Sequence, residues 1–447
     1  MHAPLTLLMI AFEFPPLDTV GVRRSAGLAR HLPEFGVTPV VVTTDRPSLT
    51  AWTRRPLRDQ DGFPSAMVHR VAAPLPAPPP LDLLQRPWHF FAMGGDIGTC
   101  WGSRLAPAWD VIVADTAPRA VYVSLPPARV APIVVRLATR SRLPLILDFR
   151  DHWSQWGDQA FPTPLHYRRE LRAEGECLAA ARAVIGVTAQ LVRDLQRAHP
   201  DVDVAKFHVV PNGWDEAESA PPVHASRQPD GTFIIGHAGR FYYSPAKRAA
   251  VMEPWWRKSP AHWSQYTPRR EDWLYRSPYF LFRAVRRLLD RRPELEGRLR
   301  LKFAGEVEDW FAAQVAEFRL QGVVEHMGRL SHEACLAFEA RCDALLVTSV
   351  KVPAGRDYCI AGKTFEYLTM GRPILGIVTA GEQRDFLAAA GGAVIADADD
   401  VEGSARAIEQ LIDGGAVPAR DEAVIAAHHR REMTRRIAGI ARQVATS

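Results

Sequence analysis

The sequence predicts an α/β protein built as two doubly wound parallel-sheet halves facing across a cleft. Three observations carry that expectation. Apolar, β-branched runs alternate with helical patterns from the start (5–12, 22–32, 38–44), which is the strand, helix, strand order of a parallel unit. The alternation begins afresh at Phe233, after a stretch (214–230) rich in Ala, Pro, Ser and Glu that reads as an interdomain linker. At 447 residues the chain also exceeds one ordinary core, so two or more domains are expected.

The elements follow in order. Strand 5–12 runs into Glu13-Phe14-Pro15-Pro16 and a polar loop through Gly21, then helix 22–32 and strand 38–44. No G-x-G-x-x-G follows the first strand, so a dinucleotide fingerprint is missing. The proline-rich segment 75–87 reads as an irregular surface excursion. Strands are expected at 109–114 and 144–149, with a helix over 118–142 broken at Pro126-Pro127, and a helix over 165–182 leading to strands 183–187 and 207–210. In the second half, strands 233–237, 299–304, 323–327, 344–348, 373–378 and 393–396 alternate with helices such as 283–289, 309–319, 331–341 and 401–412. The halves are bounded at 1–225 and 231–420, with a Trp-rich insertion at about 245–276 and a last segment 421–447.

Composition narrows the function. With 47% hydrophobic and 23% charged residues the chain is an ordinary globular protein. A net charge of +5 spread over scattered arginines, without a basic tail, zinc-finger spacing or aromatic RNA-binding signature, gives no support to nucleic-acid binding. Five cysteines (Cys100, Cys177, Cys335, Cys342, Cys359) without C-x-x-C spacing indicate neither a disulfide frame nor a zinc site and fit a reducing cytoplasm. The apolar opening is shorter than a signal-peptide core and is met by Glu13 and two prolines, and no run approaches the length of a membrane-spanning helix, so any membrane contact is expected to be peripheral.

The densest chemistry lies in Ala361-Gly362-Lys363-Thr364-Phe365-Glu366-Tyr367, a short helix between two strand-like runs, closed by Gly371. Lys363 and Glu366 are three apart and share a face near a helix start, where N–H groups and the dipole favour anions. A cation there suits a diphosphate, and the carboxylate one turn on can accept two hydrogen bonds from a ribose diol. A solvated helix pair is the plainer reading. Asp148-Phe149-Arg150-Asp151-His152-Trp153 sets polar groups past a buried strand, where Asp151 could orient a sugar hydroxyl and Arg150 face a phosphate, or the two could form a structural ion pair. Gly239-Arg240 is a tight turn with a cation, and Gly21 either admits a ligand or simply makes a turn. Asp397, Asp399 and Asp400 resemble a metal-binding pattern on paper, but a helix N-cap is favoured and no metal is expected. In the insertion, Trp255, Trp256, Trp263 and Trp273 interleave with Arg and Lys, a pattern that suits a membrane interface or a lipid-linked acceptor, or else a lid that buries the rings.

Four stretches together resemble the retaining glycosyltransferases of family four: EFPPLDTVGVRRSAGLARHL, PLILDFRDHW, AVIGVTAQLVRDL with KFHVVPNGWD, and GKTFEYLTMGRPILGI. The resemblance implies the GT-B arrangement of two Rossmann-like domains, a nucleotide-sugar donor held in the second half, and transfer with retention to a glycan, lipid-linked or other hydroxyl acceptor in polysaccharide or glycolipid synthesis, without metal or other cofactor. It implies that Glu366 holds the ribose, that Lys363 and Arg240, with Gly239 and Thr364, meet the diphosphate, that Gly21 approaches donor and acceptor, and that Asp151, Arg150 and Glu366 form the catalytic set. It also implies a last helix that crosses back onto the first domain, which suits 421–444. The sequence departs from the pattern in one place: the family's first glutamate is replaced by Tyr358, with Asp357 beside it. Lys247 also lies further from Arg240 than the usual pair, and His152 is not assigned as a base. A non-hydrolysing nucleotide-sugar epimerase and a catalytically decayed sugar-binding scaffold share the form and remain the alternatives.

Overall fold

The computed structural model describes residues 5–17, 19–45, 63–64, 67–73, 97–158, 160–215 and 231–446. The proline-rich segment 75–87 and most of the linker lie outside the described residues. The first lobe carries a seven-stranded parallel sheet: β1 (Leu5–Ala11), β2 (Val37–Thr44), β3 (Val68–Val71), β4 (Ala120–Leu125), β5 (Leu145–Phe149), β6 (Ala183–Gly186) and β7 (Phe207–Val209), in the order β3-β2-β1-β4-β5-β6-β7. The second lobe carries six: β8 (Phe233–Ala238), β9 (Leu299–Ala304), β10 (Val324–His326), β11 (Ala344–Thr348), β12 (Ile374–Val378) and β13 (Ala393–Asp397), in the order β10-β9-β8-β11-β12-β13. Both orders reverse after their first strand, so each sheet has a switch point where ligands gather at the strands' carboxyl ends. This is the GT-B architecture.

The central strands are buried on both faces, which is why they read as continuous apolar runs rather than alternating ones, whereas the edge strands β3, β7 and β10 are half-buried or exposed. One face of the first sheet packs Leu8, Ile10, Val121 and Leu147 under Trp101 and Trp109. The other packs Leu7, Met9, Tyr122 and Ile146 against Met433, Ile437 and Ala441 of the final helix, α14 (Arg430–Thr446), which returns from the second lobe.

Three expectations are corrected here. Residues 109–114 are not a strand but part of helix α2 (Ile97–Thr116), because Trp101, Leu105, Trp109 and Ile112 recur at helical spacing and are the buried face, whereas Val111 points to solvent. The strand of this part of the chain is β4, inside the span expected to be helical, and helix α3 (Ala131–Arg140) begins only after Pro126-Pro127. The last segment is likewise two helices, α13 (Glu422–Ala426) and α14, not one.

Candidate functional site

Helix α10 (Gly362–Thr369) stands at the carboxyl edge of the second sheet, between β11 and β12. Its N-terminus meets α1 (Val20–His31) of the first lobe. Arg23 of α1 reaches across to Glu366, Nη1 to Oε2 at 3.2 Å, and Glu366 is buried. A crevice at this junction is lined by Arg23, Gly213, Trp214, Asp215, Gly362, Glu366 and Arg430, residues of both lobes. Lys363 lies 3.1 Å from Glu366 and 2.9 Å from the fully buried Glu339 on α9 (His332–Glu339). Facing two carboxylates, the Lys363 ammonium is held above its ordinary range although burial opposes this. The Glu339 carboxyl is pushed up as well, to about 7, by burial outweighing the pull of Lys363 and by the neighbouring Glu366, which favours its neutral form. One end of the cluster therefore stays cationic while Glu339 is the carboxyl that protonates first.

The other expected residues are distributed unevenly. Gly239 follows β8 with φ 137°, a region glycine tolerates, and its carbonyl is so close to Gly305 that a Cβ there would collide with it. Arg240 is exposed and pairs with Glu308 at 3.1 Å, a partner that a diphosphate could displace. Thr364 is turned inward: its hydroxyl donates to Gln383 at 3.0 Å and its N–H to Ala361 O, so its side chain braces the helix instead of facing the crevice. Arg150 is buried and engaged by its own lobe, ion-paired with Glu13 and donating to Leu125 O and Pro126 O (3.2 and 2.8 Å). It has the structural ion pair that was its alternative, with Glu13 in place of Asp151. Gly21 sits against this pair, where a Cβ would overlap the Arg150 guanidinium and the Glu13 carboxylate.

Asp151 lies at a second crossing between the lobes. Tyr358 donates to its Oδ1 at 3.2 Å, and burial raises the Asp151 carboxyl while Arg150 and this bond oppose the rise. The Tyr358 ring packs edge-on to His152 at 4.1 Å, with the Arg269 guanidinium 5.3 Å from its centre. His152 is lowered by burial and makes no hydrogen bond, although Nε2 is 3.3 Å from Asp194. Asp357, beside the position of the missing glutamate, is buried and accepts from the backbone N–H groups of Val350 and Cys359 (3.1 and 3.0 Å), so its carboxylate shapes the loop and does not present itself to a ligand. Lys247 crosses to Asp158 of the first lobe at 2.8 Å.

Arg23 and Glu339, which the structure brings to this cluster, were not singled out in the sequence. Arg23 carried a signal, because a cation in a helix's first turn opposes the dipole and suggests a partner elsewhere. Asp400 caps α12 (Val401–Ile412) by accepting from Gly403 N at 2.8 Å, Asp399 pairs with Lys351, and among the described residues no group of three His, Cys, Asp or Glu could hold a metal.

Residues 21–213 match the family model described as the glycosyl transferase 4-like domain. No curated protein matches the chain significantly by sequence. Solved structures share the fold over nearly the whole length. Anabaena Alr3699/HepE in complex with UDP-glucose is 12% identical, with a TM-score of 0.54 over 99% of this chain and 98% of that one. The α,α-trehalose 6-phosphate synthase of Burkholderia multivorans is 13% identical, with 0.57 over 100% and 99%. The UDP-GlcNAc 2-epimerase of Methanocaldococcus jannaschii is 11% identical, with 0.52 over 98% and 100%.

Proposed function

We propose that the protein is a glycosyltransferase that moves a sugar from a nucleoside-diphosphate sugar to a hydroxyl acceptor. The observation that carries this reading is the meeting of Glu366 and Lys363, at the start of α10, with Arg23 of the opposite lobe. In this arrangement Glu366 accepts hydrogen bonds from the ribose diol, while Lys363, Arg240 and the helix N-terminus offset the charge of the leaving diphosphate. Asp151 orients a hydroxyl at the sugar end. The glycosyl transferase 4-like match over the first lobe, and a fold shared with a protein solved with UDP-glucose, support it.

Transfer with retention follows if the acceptor oxygen enters on the face from which the diphosphate departs. Its proton then passes to the departing phosphate oxygen, so neither a protein base nor a metal is required. The acceptor we propose is a glycan or lipid-linked hydroxyl of a polysaccharide pathway at the inner face of a membrane. No helix among the described residues is long and apolar enough to cross one. The peripheral contact would be made by Trp255, Trp256 and Trp263, which are 61%, 66% and 53% exposed, beside the exposed Arg257 and Arg270. Trp273 drops out of that set, since it is half-buried and donates to Glu271 at 3.1 Å.

Isothermal titration with UDP and GDP tests the donor site. Glu366→Ala and Lys363→Ala each remove charge-assisted bonds worth about 1.5–3 kcal/mol, so nucleotide affinity and transfer should fall on the order of 10- to 100-fold. Unchanged binding in both variants would contradict the assignment. The shared fold of the epimerase keeps a second reading open, and release of an epimerised nucleotide sugar in the absence of acceptor would favour it.

A further inference from the structure

The insertion between β8 and β9 does more than carry exposed tryptophans. It straps the cleft from outside: Phe161 and Tyr266 exchange backbone hydrogen bonds at 2.8 and 2.9 Å across the lobes, and Ser264 donates to Pro162 O at 3.0 Å. Beyond this strap the chain turns inward and places Glu271 against the first lobe, where Gly157 has no side chain and a Cβ would overlap Glu271 Cγ and Cδ. Glu271 is 4% exposed. Its Oε2 accepts from Trp273 Nε1, whereas Oε1 has no hydrogen-bond partner and lies 3.1 Å from Arg269 Nε without the alignment of a bond. Burial raises this carboxyl to about 7 against the pull of Arg269, with Asp357 and Asp158 adding to the rise, and the Tyr358 phenol senses its charge.

A buried carboxyl oxygen without a hydrogen bond is costly unless something else occupies it. The site adjoins Asp357 and Tyr358, whose charges and that of Glu271 act on one another, next to the Asp151 crossing that the donor-site reading gives to the sugar. Going back along the chain from Lys363 leads to Tyr358, whose hydroxyl touches Asp151. Tyr358 itself presents no carboxylate, and Asp357 is committed to the backbone of its loop.

We propose that Glu271, delivered by the insertion, is the carboxyl that binds hydroxyl groups of the sugar carried by the nucleotide. Its Oε1 accepts from a sugar hydroxyl once the strap opens and recloses over the donor, with Arg269 fixing the carboxyl's orientation. The inference rests on the donor-site reading above and deepens it.

The test is titration at pH 8 of wild type, Glu271→Gln and Glu271→Asp with UDP and UDP-glucose, and with GDP and GDP-mannose. The expected result is a loss on the order of tenfold for the nucleotide sugar in both variants, with affinity for the bare nucleotide unchanged. Equal affinity of wild type and both variants for the nucleotide sugar would overturn the inference and leave Glu271 as a brace for Arg269. A parallel loss for nucleotide and nucleotide sugar would also overturn it. A wild type that binds none of the four would instead bring down the donor site itself, and this inference with it.

Discussion

Lys363 can neutralise one carboxylate fully, and two face it. Glu366 is the one within reach of Arg23 as well, so Glu339, fully buried with Oε2 lacking a hydrogen-bond partner, gives up its charge first. Its carboxyl titrates at about 7 in the folded protein, against about 4.5 when exposed. Between those values the folded state keeps a proton that the unfolded state has released, so stability falls as pH rises through the window and levels off above it. Glu339→Gln removes that dependence. Its melting temperature relative to wild type should therefore rise from pH 5 to pH 8, measured by scanning calorimetry; a constant difference would mean that Glu339 stays charged throughout. None of this was legible in the sequence, where Glu339 is one carboxylate in an ordinary helix. Lys363 and Glu366 were legible because spacing alone puts them on one face, and Arg23 nearly so.

At the level of elements, the alternation of strand and helix was readable wherever a strand is buried on both faces, as in β1, β5, β11 and β12. It failed where helix and strand share the same residues. The 109–114 run is β-branched enough to pass for a strand, and only the recurrence of tryptophan at positions 101 and 109 reveals the helix. β3, four residues at the sheet edge, is too short to announce itself. The insertion had no clean period because it is one short helix, α6 (Pro245–Met252), followed by three tight single turns, each starting at or near a tryptophan or proline. Its rings divide: Trp255 packs edge-on to Trp256 and Trp263, both at 6.1 Å, outside, while Trp273 lies under the Arg276 guanidinium at 5.3 Å inside. Co-sedimentation with vesicles containing anionic lipid should fall severalfold for Trp255→Ala with Trp256→Ala, and should be unaffected by Trp273→Phe. Equal retention of all forms would remove the membrane contact.

At the scale of the whole molecule, the chain passes between lobes twice in one place. The segment after β7 leaves the first lobe beside the loop where α13 gives way to α14, and Trp214 pairs with His429 there while Arg430 donates to Gly213 O at 3.0 Å. A Cβ at Gly213 would overlap the carbonyl of His428, a backbone atom with nowhere to go. Gly213→Ala should cost about 1–3 kcal/mol, read as a lower denaturation midpoint in urea, whereas an alanine at the uncrowded Gly439, inside α14, should leave the midpoint unchanged or raise it. A midpoint equal to wild type would show that the crossing relaxes freely.

Two strands of chain fastened side by side behave as a pair of pins in one hinge plate. They leave the lobes free to swing about the line joining them and resist sliding or twisting. Opened about those pins, the lobes would part furthest at a contact away from them, such as that of Tyr266 with Phe161, and least at Arg23 and Glu366, which line the same crevice as Gly213 and Trp214. On the proposed function, a nucleotide held near the pins would stay seated through a cycle in which the rim opens wide enough to admit a bulky acceptor.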